Sequence, residues 1–215
     1  MLRARSGLIT IKEEQMKGRL PIAVTLALAA VLLVTAGSAS GAAGGGKLRC
    51  FADAPATCTL NSATSATIDA TGGGDAGVYL SNGKSLSGVP LAKAEFSFTY
   101  FCGNTTDITS CTGGGIPRWS IPISTDGNSR TTEGYAFIDG ANCLANGTAP
   151  SGGGLTVSTT VATCPVFFGS TEYPNWDAFA TSNPSYTISG DLPFVISDGS
   201  TASVQIVSNV IETKS

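Results

Sequence analysis

Ala94-Glu95-Phe96-Ser97-Phe98-Thr99-Tyr100, followed after a gap by Arg118-Trp119-Ser120-Ile121-Pro122-Ile123, is the part of the sequence that decides the fold. In the first run Phe96, Phe98 and Tyr100 fall on one face, with Glu95, Ser97 and Thr99 on the other. In the second, Trp119, Ile121 and Ile123 alternate inward. Apolar residues at every second position mark a strand with one buried face, because successive strand side chains point to opposite sides. Cys102, a polar loop, Cys111 and Gly113-Gly114-Gly115 separate the two runs. That arrangement predicts a hairpin-like pair of strands closed by a local disulfide.

Working outward, the same criteria predict strands at 57–60, 66–70, 77–80, 134–138, 155–161, 165–168, 186–189, 192–196 and 203–211. Gly72-Gly73-Gly74, Asn82-Gly83, Asp126-Gly127, Asn146-Gly147, Gly152-Gly153-Gly154 and Asp198-Gly199 supply the turns between them. Many short strands with regular turn signals predict an all-β sandwich or barrel. Pro122 and Pro193 interrupt strand patterns and are expected at an edge or a bulge, since proline gives no donor to a ladder. One short helix is predicted over 174–181, where Trp176, Phe179 and Ala180 share a face before Asn183-Pro184 ends it.

The N-terminal part reads differently. Residues 20–36 form the one long apolar run, with Lys17 and Arg19 before it and Gly37-Ser38-Ala39-Ser40 after it, the layout of a secretory signal with a small-residue cleavage site. Residues 1–39 are therefore expected to be a signal peptide, with Met16 as an alternative start. The competing expectation is an uncleaved anchor helix, through which alone the protein would meet a membrane. Residues 40–47 read as a flexible leader and 48–215 as a single sandwich domain. Glu212-Thr213-Lys214-Ser215 carries no hydrophobic tail, so no C-terminal anchor is expected. Past the apolar run seven basic residues face thirteen acidic ones, a net charge of −6 that argues against a nucleic-acid partner.

All six cysteines follow the signal. An even number in an exported chain predicts three disulfides and a secreted or cell-surface location. Sequential pairing is favoured among the fifteen arrangements that six cysteines allow: Cys50 with Cys58, Cys102 with Cys111, and Cys143 with Cys164, each closing a short polar loop. No histidine and no Cys-x-x-Cys spacing is present, so zinc is not expected.

Gly113-Gly114-Gly115-Ile116-Pro117-Arg118-Trp119, then Asp126-Gly127, then Tyr135-Ala136-Phe137-Ile138 and the valine-rich 204–211, together resemble a type of secreted bacterial domain. The resemblance covers roughly residues 78–211. It implies a jelly-roll β-sandwich similar to carbohydrate-binding modules and other extracellular adhesive domains, and it brings no catalytic residues.

Chemical motifs are nearly present and fail on spacing. Gly77 to Ser85 is one residue longer than a phosphate-binding loop, and Asn82-Gly83 reads as a hairpin turn. Ser81 and Lys84 have the Ser-x-x-Lys spacing of some acyl-transfer enzymes, without the helix or the companion motifs that such a site needs. Without histidine a serine or cysteine nucleophile lacks its usual base. A glycoside hydrolase would need two carboxylates from Asp69, Glu95, Glu133, Asp139, Asp177 and Asp191, and spacing does not choose the pair.

No enzymatic activity is expected. The expectation is instead a noncatalytic module that binds glycan or another surface polymer, with a self-assembling envelope subunit as the alternative. For the binding role Trp176 and Tyr173 are candidate stacking platforms, with Asp177, Asn175 and Arg118 as hydrogen-bonding partners. Burial of Trp176 against Phe179 is the competing expectation. Trp119 reads as core, and Tyr135 and Phe137 share a strand face. Structural calcium is the one cofactor considered, with Asp126, Asn128 and Asp75 as oxygen ligands; a turn stabilised by Asp126 itself is the alternative. Asn104 and Asn146 each open a glycosylation sequon.

Overall fold

The computed structural model describes residues 46–81, 85–103, 117–151, 154–199 and 203–213, with the backbone alone at 208–210 and 212. The expected signal peptide, Asn82-Gly83-Lys84, Asn104, Cys111 and Gly113-Gly114-Gly115 lie outside the described residues. Among the described residues thirteen strands form two antiparallel sheets. The larger runs in the order β1 (Lys47–Ala52), β4 (Asp75–Ser81), β12 (Phe194–Asp198), β6 (Arg118–Ser124), β7 (Gly134–Asp139), β9 (Val166–Phe168) and β10 (Thr171–Tyr173). The two-residue strand β11 (Thr187–Ile188) also pairs with β6. The smaller sheet runs β2 (Thr57–Leu60), β3 (Ala66–Asp69), β13 (Val204–Thr213), β5 (Ala94–Cys102) and β8 (Leu155–Ser158).

The alternation in β5 places Phe96, Phe98 and Tyr100 in the core, and that in β6 does the same for Trp119, Ile121 and Ile123. The two strands are nevertheless not a hairpin. β5 hydrogen-bonds to β13 and β8, whereas β6 lies between β12 and β7 in the opposite sheet. They meet through their inward side chains: the Trp119 ring stands edge-on to Phe96 at 5.5 Å and to Phe98 at 5.7 Å. Facing across a core buries both apolar stripes against each other, which pairing side by side within one sheet does not achieve.

Pro122 is likewise not at an edge, because β6 is an interior strand. Its carbonyl accepts from the Ser189 amide, so its ring nitrogen faces the same side, beyond the residues of β12 that pair with β6. The missing N–H falls where the ladder changes from β12 to β11, and no bond is lost there. Pro193 immediately precedes β12, a position that tolerates proline.

Two α-helices interrupt the strands among the described residues. Asp139 accepts from the amides of Ala141 and Asn142 and so caps α1 (Gly140–Ala145), an element without a sequence-level expectation. Asn175 caps α2 (Trp176–Ser182) by accepting from the Ala178 amide at 2.9 Å. That helix sits within two residues of its expected bounds. Two strands lacked expectations too: β10, and β1, part of which reads as leader.

Cys50 bonds to Cys58 and Cys143 to Cys164, as sequential pairing predicts. Cys102 is disulfide-bonded; its expected partner Cys111 lies outside the described residues. The geometry differs from simple hairpin closure. Cys50 is on edge strand β1 of the larger sheet and Cys58 on edge strand β2 of the smaller, so their bond joins the two sheets. Cys143 is on α1 and ties it to the segment before β9. Disulfides of this kind suit an oxidising compartment.

The inter-sheet bond fixes one edge of the sandwich. Replacing Cys50 and Cys58 together by serine is expected to lower unfolding free energy by about 2–5 kcal/mol in urea melts. An unchanged midpoint would show that the sheets hold this edge without the bond.

Candidate functional site

The residues expected to bind ligand do not converge. Trp176 is 0% exposed, donates its indole N–H to the Leu91 carbonyl at 2.9 Å and packs edge-on against Phe96 and Phe179. It offers no ring face to a sugar, so the expected platform there is corrected to a core residue. Helix α2 presents its apolar face to the sandwich, and a buried indole with a satisfied N–H is the stable outcome. Tyr173 on β10 is half-buried, its ring 5.0 Å from that of Phe179. The Asn175 side chain is used in capping, and Asp177 is exposed in the first turn of α2. Arg118 is elsewhere, on the outer face of the larger sheet.

The three oxygen donors considered for calcium are also apart. Asp126 follows β6 at its Ser124 end, whereas Asp75 pairs with Asp198, near the Arg118 end of that strand. The seven residues of β6 span about 20 Å. Asp126 Oδ1 accepts from the Asn128 amide at 2.8 Å and the Ser124 hydroxyl at 3.0 Å, and these bonds hold its carboxyl below the usual range. It is a self-stabilised turn.

What the fold does assemble is an aromatic surface on the outer face of the larger sheet. Inward residues Leu48, Val78, Val195, Trp119 and Ala136 fix the phase of their strands, so their neighbours point outward. Register then aligns Arg49, Tyr79, Phe194, Ser120, Phe137 and Phe167 in one row across six strands. The next row contains Phe51, Gly77, Ile196, Arg118 and Asp139. Tyr135 and Phe137, which share a face as expected, thus share the outer one.

Phe51, Tyr79, Leu192 and Phe194 line an open depression of about 270 Å³. Phe194 is its centre, with the Phe51 ring edge-on at 5.6 Å and the Tyr135 ring at 5.7 Å. Leu192 is 55% exposed at the margin. Gly77 makes the surface flat: a Cβ there would lie 2.4 Å from Phe51 Cζ and 2.2 Å from the Val195 carbonyl oxygen, so only glycine lets the Phe51 ring lie over β4.

Polar groups rim this surface. Arg118 binds Asp198 at 2.7 Å and stands 5.0 Å over the Phe137 ring. Beside them, burial holds the Asp139 carboxyl above its ordinary value, an effect only partly offset by its two amide donors and the Arg118 charge. At another margin Asp191 accepts from the Thr132 hydroxyl at 2.6 Å, and Thr132 also meets Ser189. Burial, and then the Asp191 charge, raise the Tyr135 phenol. Asp139, one of the six carboxylates considered for glycoside hydrolysis, has its oxygen occupied with capping α1.

The outer face of the smaller sheet has a different chemistry. Thr59, Thr67, Gln205 and Phe101 align in one row, and the hydroxyls of Thr99 and Thr156 meet at 2.9 Å. One sheet is therefore polar outside and the other aromatic outside. Sequence reading missed the aromatic surface because it assigned each strand's apolar residues to one core face. No protein-family model, curated protein or solved structure matches the chain.

Trp176→Ala is expected to destabilise the fold by about 3–5 kcal/mol; a variant that melts like the wild type would mean that this indole is not in the core. For Asp139 the folded state favours the protonated form. Its contribution is present below the ordinary value of 3.8 and is lost as pH rises through the higher folded value. Asp139→Asn keeps a capping acceptor and is expected to flatten this part of the stability profile in urea melts between about pH 3 and about pH 7. An unaltered slope would remove Asp139 as its cause.

Proposed function

We propose that this chain is exported and acts as a noncatalytic binding module, holding a glycan or another surface polymer on the outer aromatic face of its larger sheet. The single observation that carries the proposal is the depression around Phe194. Its walls, Phe51, Tyr79 and Leu192, come from separate strands and one loop, and a flat glycine at Gly77 seats the first of them. Sugar rings bind such surfaces by laying their C–H faces on aromatic rings, while hydroxyls and charges at the rim fix orientation. Tyr79, Tyr135, Arg49 and Asp191 supply polar groups at the rim. Export is supported by the apolar run at 20–36 with its small-residue flank and by the disulfides.

We further propose that the sandwich is a jelly roll. Strands β3, β13, β5 and β8 are consecutive neighbours in one sheet, and β4, β12, β6 and β7 are consecutive neighbours in the other. Each sheet-crossing pair, β3/β4, β12/β13, β5/β6 and β7/β8, lies beside the next in both sheets, which is the order of a folded double ribbon. This wiring supports the similarity to carbohydrate-binding modules that the sequence motifs imply.

A self-assembling subunit is the second reading. It is favoured by the position of the depression beside edge strand β1, where an apolar patch and a sheet edge adjoin.

Phe194→Ala is expected to lower retention on insoluble polysaccharide at least about tenfold, a loss on the scale of an interface hot spot, with the variant still folded by circular dichroism. Retention that Phe194→Ala leaves intact would move the binding surface away from this face.

A further inference from the structure

We infer that the polymer held on this face is anionic, and that Lys47 and Arg49 are the residues that recognise its charges. The inference rests on the binding role proposed above and adds the chemical class of the ligand. Lys47 and Arg49 alternate with the inward residues Leu48 and Cys50, so they share the outer face with Phe51. Arg49 lies directly opposite Tyr79, and Lys47 opposite Ser81. Both cations are exposed.

Neither is paired with a carboxylate among the described residues. The one ion pair among the described residues joins Arg118 to Asp198. Arg49 Nε donates to the Ser81 hydroxyl at 3.1 Å, and that hydroxyl donates to the Lys47 carbonyl, also at 3.1 Å. These bonds lay the arginine along the seam between β1 and β4, beside the depression.

The acids nearest this face are at the far end of the two strands or at its other margins. Asp53 is four residues along the chain from Arg49 and Asp75 four residues along β4 from Tyr79, about 13 Å in each case, the Asp53 amide donating to the Asp75 carbonyl, and Asp198 is neutralised by Arg118. Asp191 is held by Thr132 near Tyr135. A chain with seven basic and thirteen acidic residues after its apolar run repels polyanions as a whole. Two unpaired cations beside the aromatic rings provide a local exception of the right sign, positioned to meet a carboxylate or phosphate on a sugar stacked at Tyr79 and Phe194. Cations on an edge strand also discourage sheet-to-sheet pairing. That role requires no polymer and predicts no preference between polymers.

The experiment compares retention of the exported protein on polygalacturonate and on its methyl ester at about 50 and about 200 mM salt, a range over which screening of exposed charges increases. Wild type, Lys47→Gln/Arg49→Gln and Phe194→Ala are used, with circular dichroism to establish that each is folded. The expected result is at least about tenfold tighter wild-type binding to the acid form, a preference weakened by salt and abolished in the double glutamine variant, with binding to both forms reduced by Phe194→Ala. Equal binding to both forms that needs Phe194 but not the cations would overturn the anionic assignment and leave the aromatic platform standing. Failure of wild type to bind either form, or binding indifferent to Phe194→Ala, would overturn both. Sedimentation velocity supplies the remaining arm: self-association without polymer, lost in Phe194→Ala, would give the face to a second copy and overturn the inference.

Discussion

The contact between Trp119 and the Phe96–Phe98 pair determines most of the architecture. Three large rings on two strands can leave water together only if the strands face each other across an interior. That requirement sends β5 and β6 into different sheets, and the intervening connection becomes a crossing between layers. Trp176 extends the cluster by packing on Phe96 from α2, and its N–H is satisfied by Leu91. The Trp119 N–H has no hydrogen-bonding partner among the described residues. Its neighbours are aromatic rings, so burying the whole indole compensates for an unsatisfied donor there.

Once Trp119 is inward, strand geometry leaves no freedom about what is outward. Arg118 and Ser120 must point away from the core, and the ladders carry that phase to β12, β4 and β1 on one side and to β7 and β9 on the other. The outer aromatic row is therefore a consequence of the core, imposed one register step at a time. Ser120 is buried although it points outward, because it lies between Phe194 and Phe137 in that row. An outer face able to bury a serine is partway to being a second apolar layer.

Much of the sandwich was legible in the sequence. The phases of β5 and β6, most other strands, the α2 segment and two described disulfide pairings follow from local patterns. The partner of β5 was not legible, because alternation reveals which side of a strand is buried and not which strand lies next to it. The surface around Phe194 was hidden for a related reason. Phe51, Tyr79 and Phe194 are distant in sequence and become neighbours only through the β1–β4 and β4–β12 registers. Arg118 alone among the expected ligand-binding residues reached this face, because its phase is tied to that of Trp119. Trp176 was open to two readings, since one aromatic on a short helix has the same pattern whether it is core or platform.

Edge strand β1 brings stability and recognition into one element. Alternate residues along it serve opposite faces: Leu48 and Cys50 hold the interior, while Lys47, Arg49 and Phe51 lie outside. Cys50 ties the strand to the other sheet through Cys58, and Phe51 follows it directly in the chain. The hydrogen bond from the Leu48 amide to the Ala63 carbonyl covers part of the outer edge, and the β4 ladder secures the inner one. An edge strand is ordinarily the first part of a sheet to fray. Here the covalent link next to Phe51 holds one wall of the depression in register with Tyr79 and Phe194, so the surface retains its shape at an edge of the larger sheet.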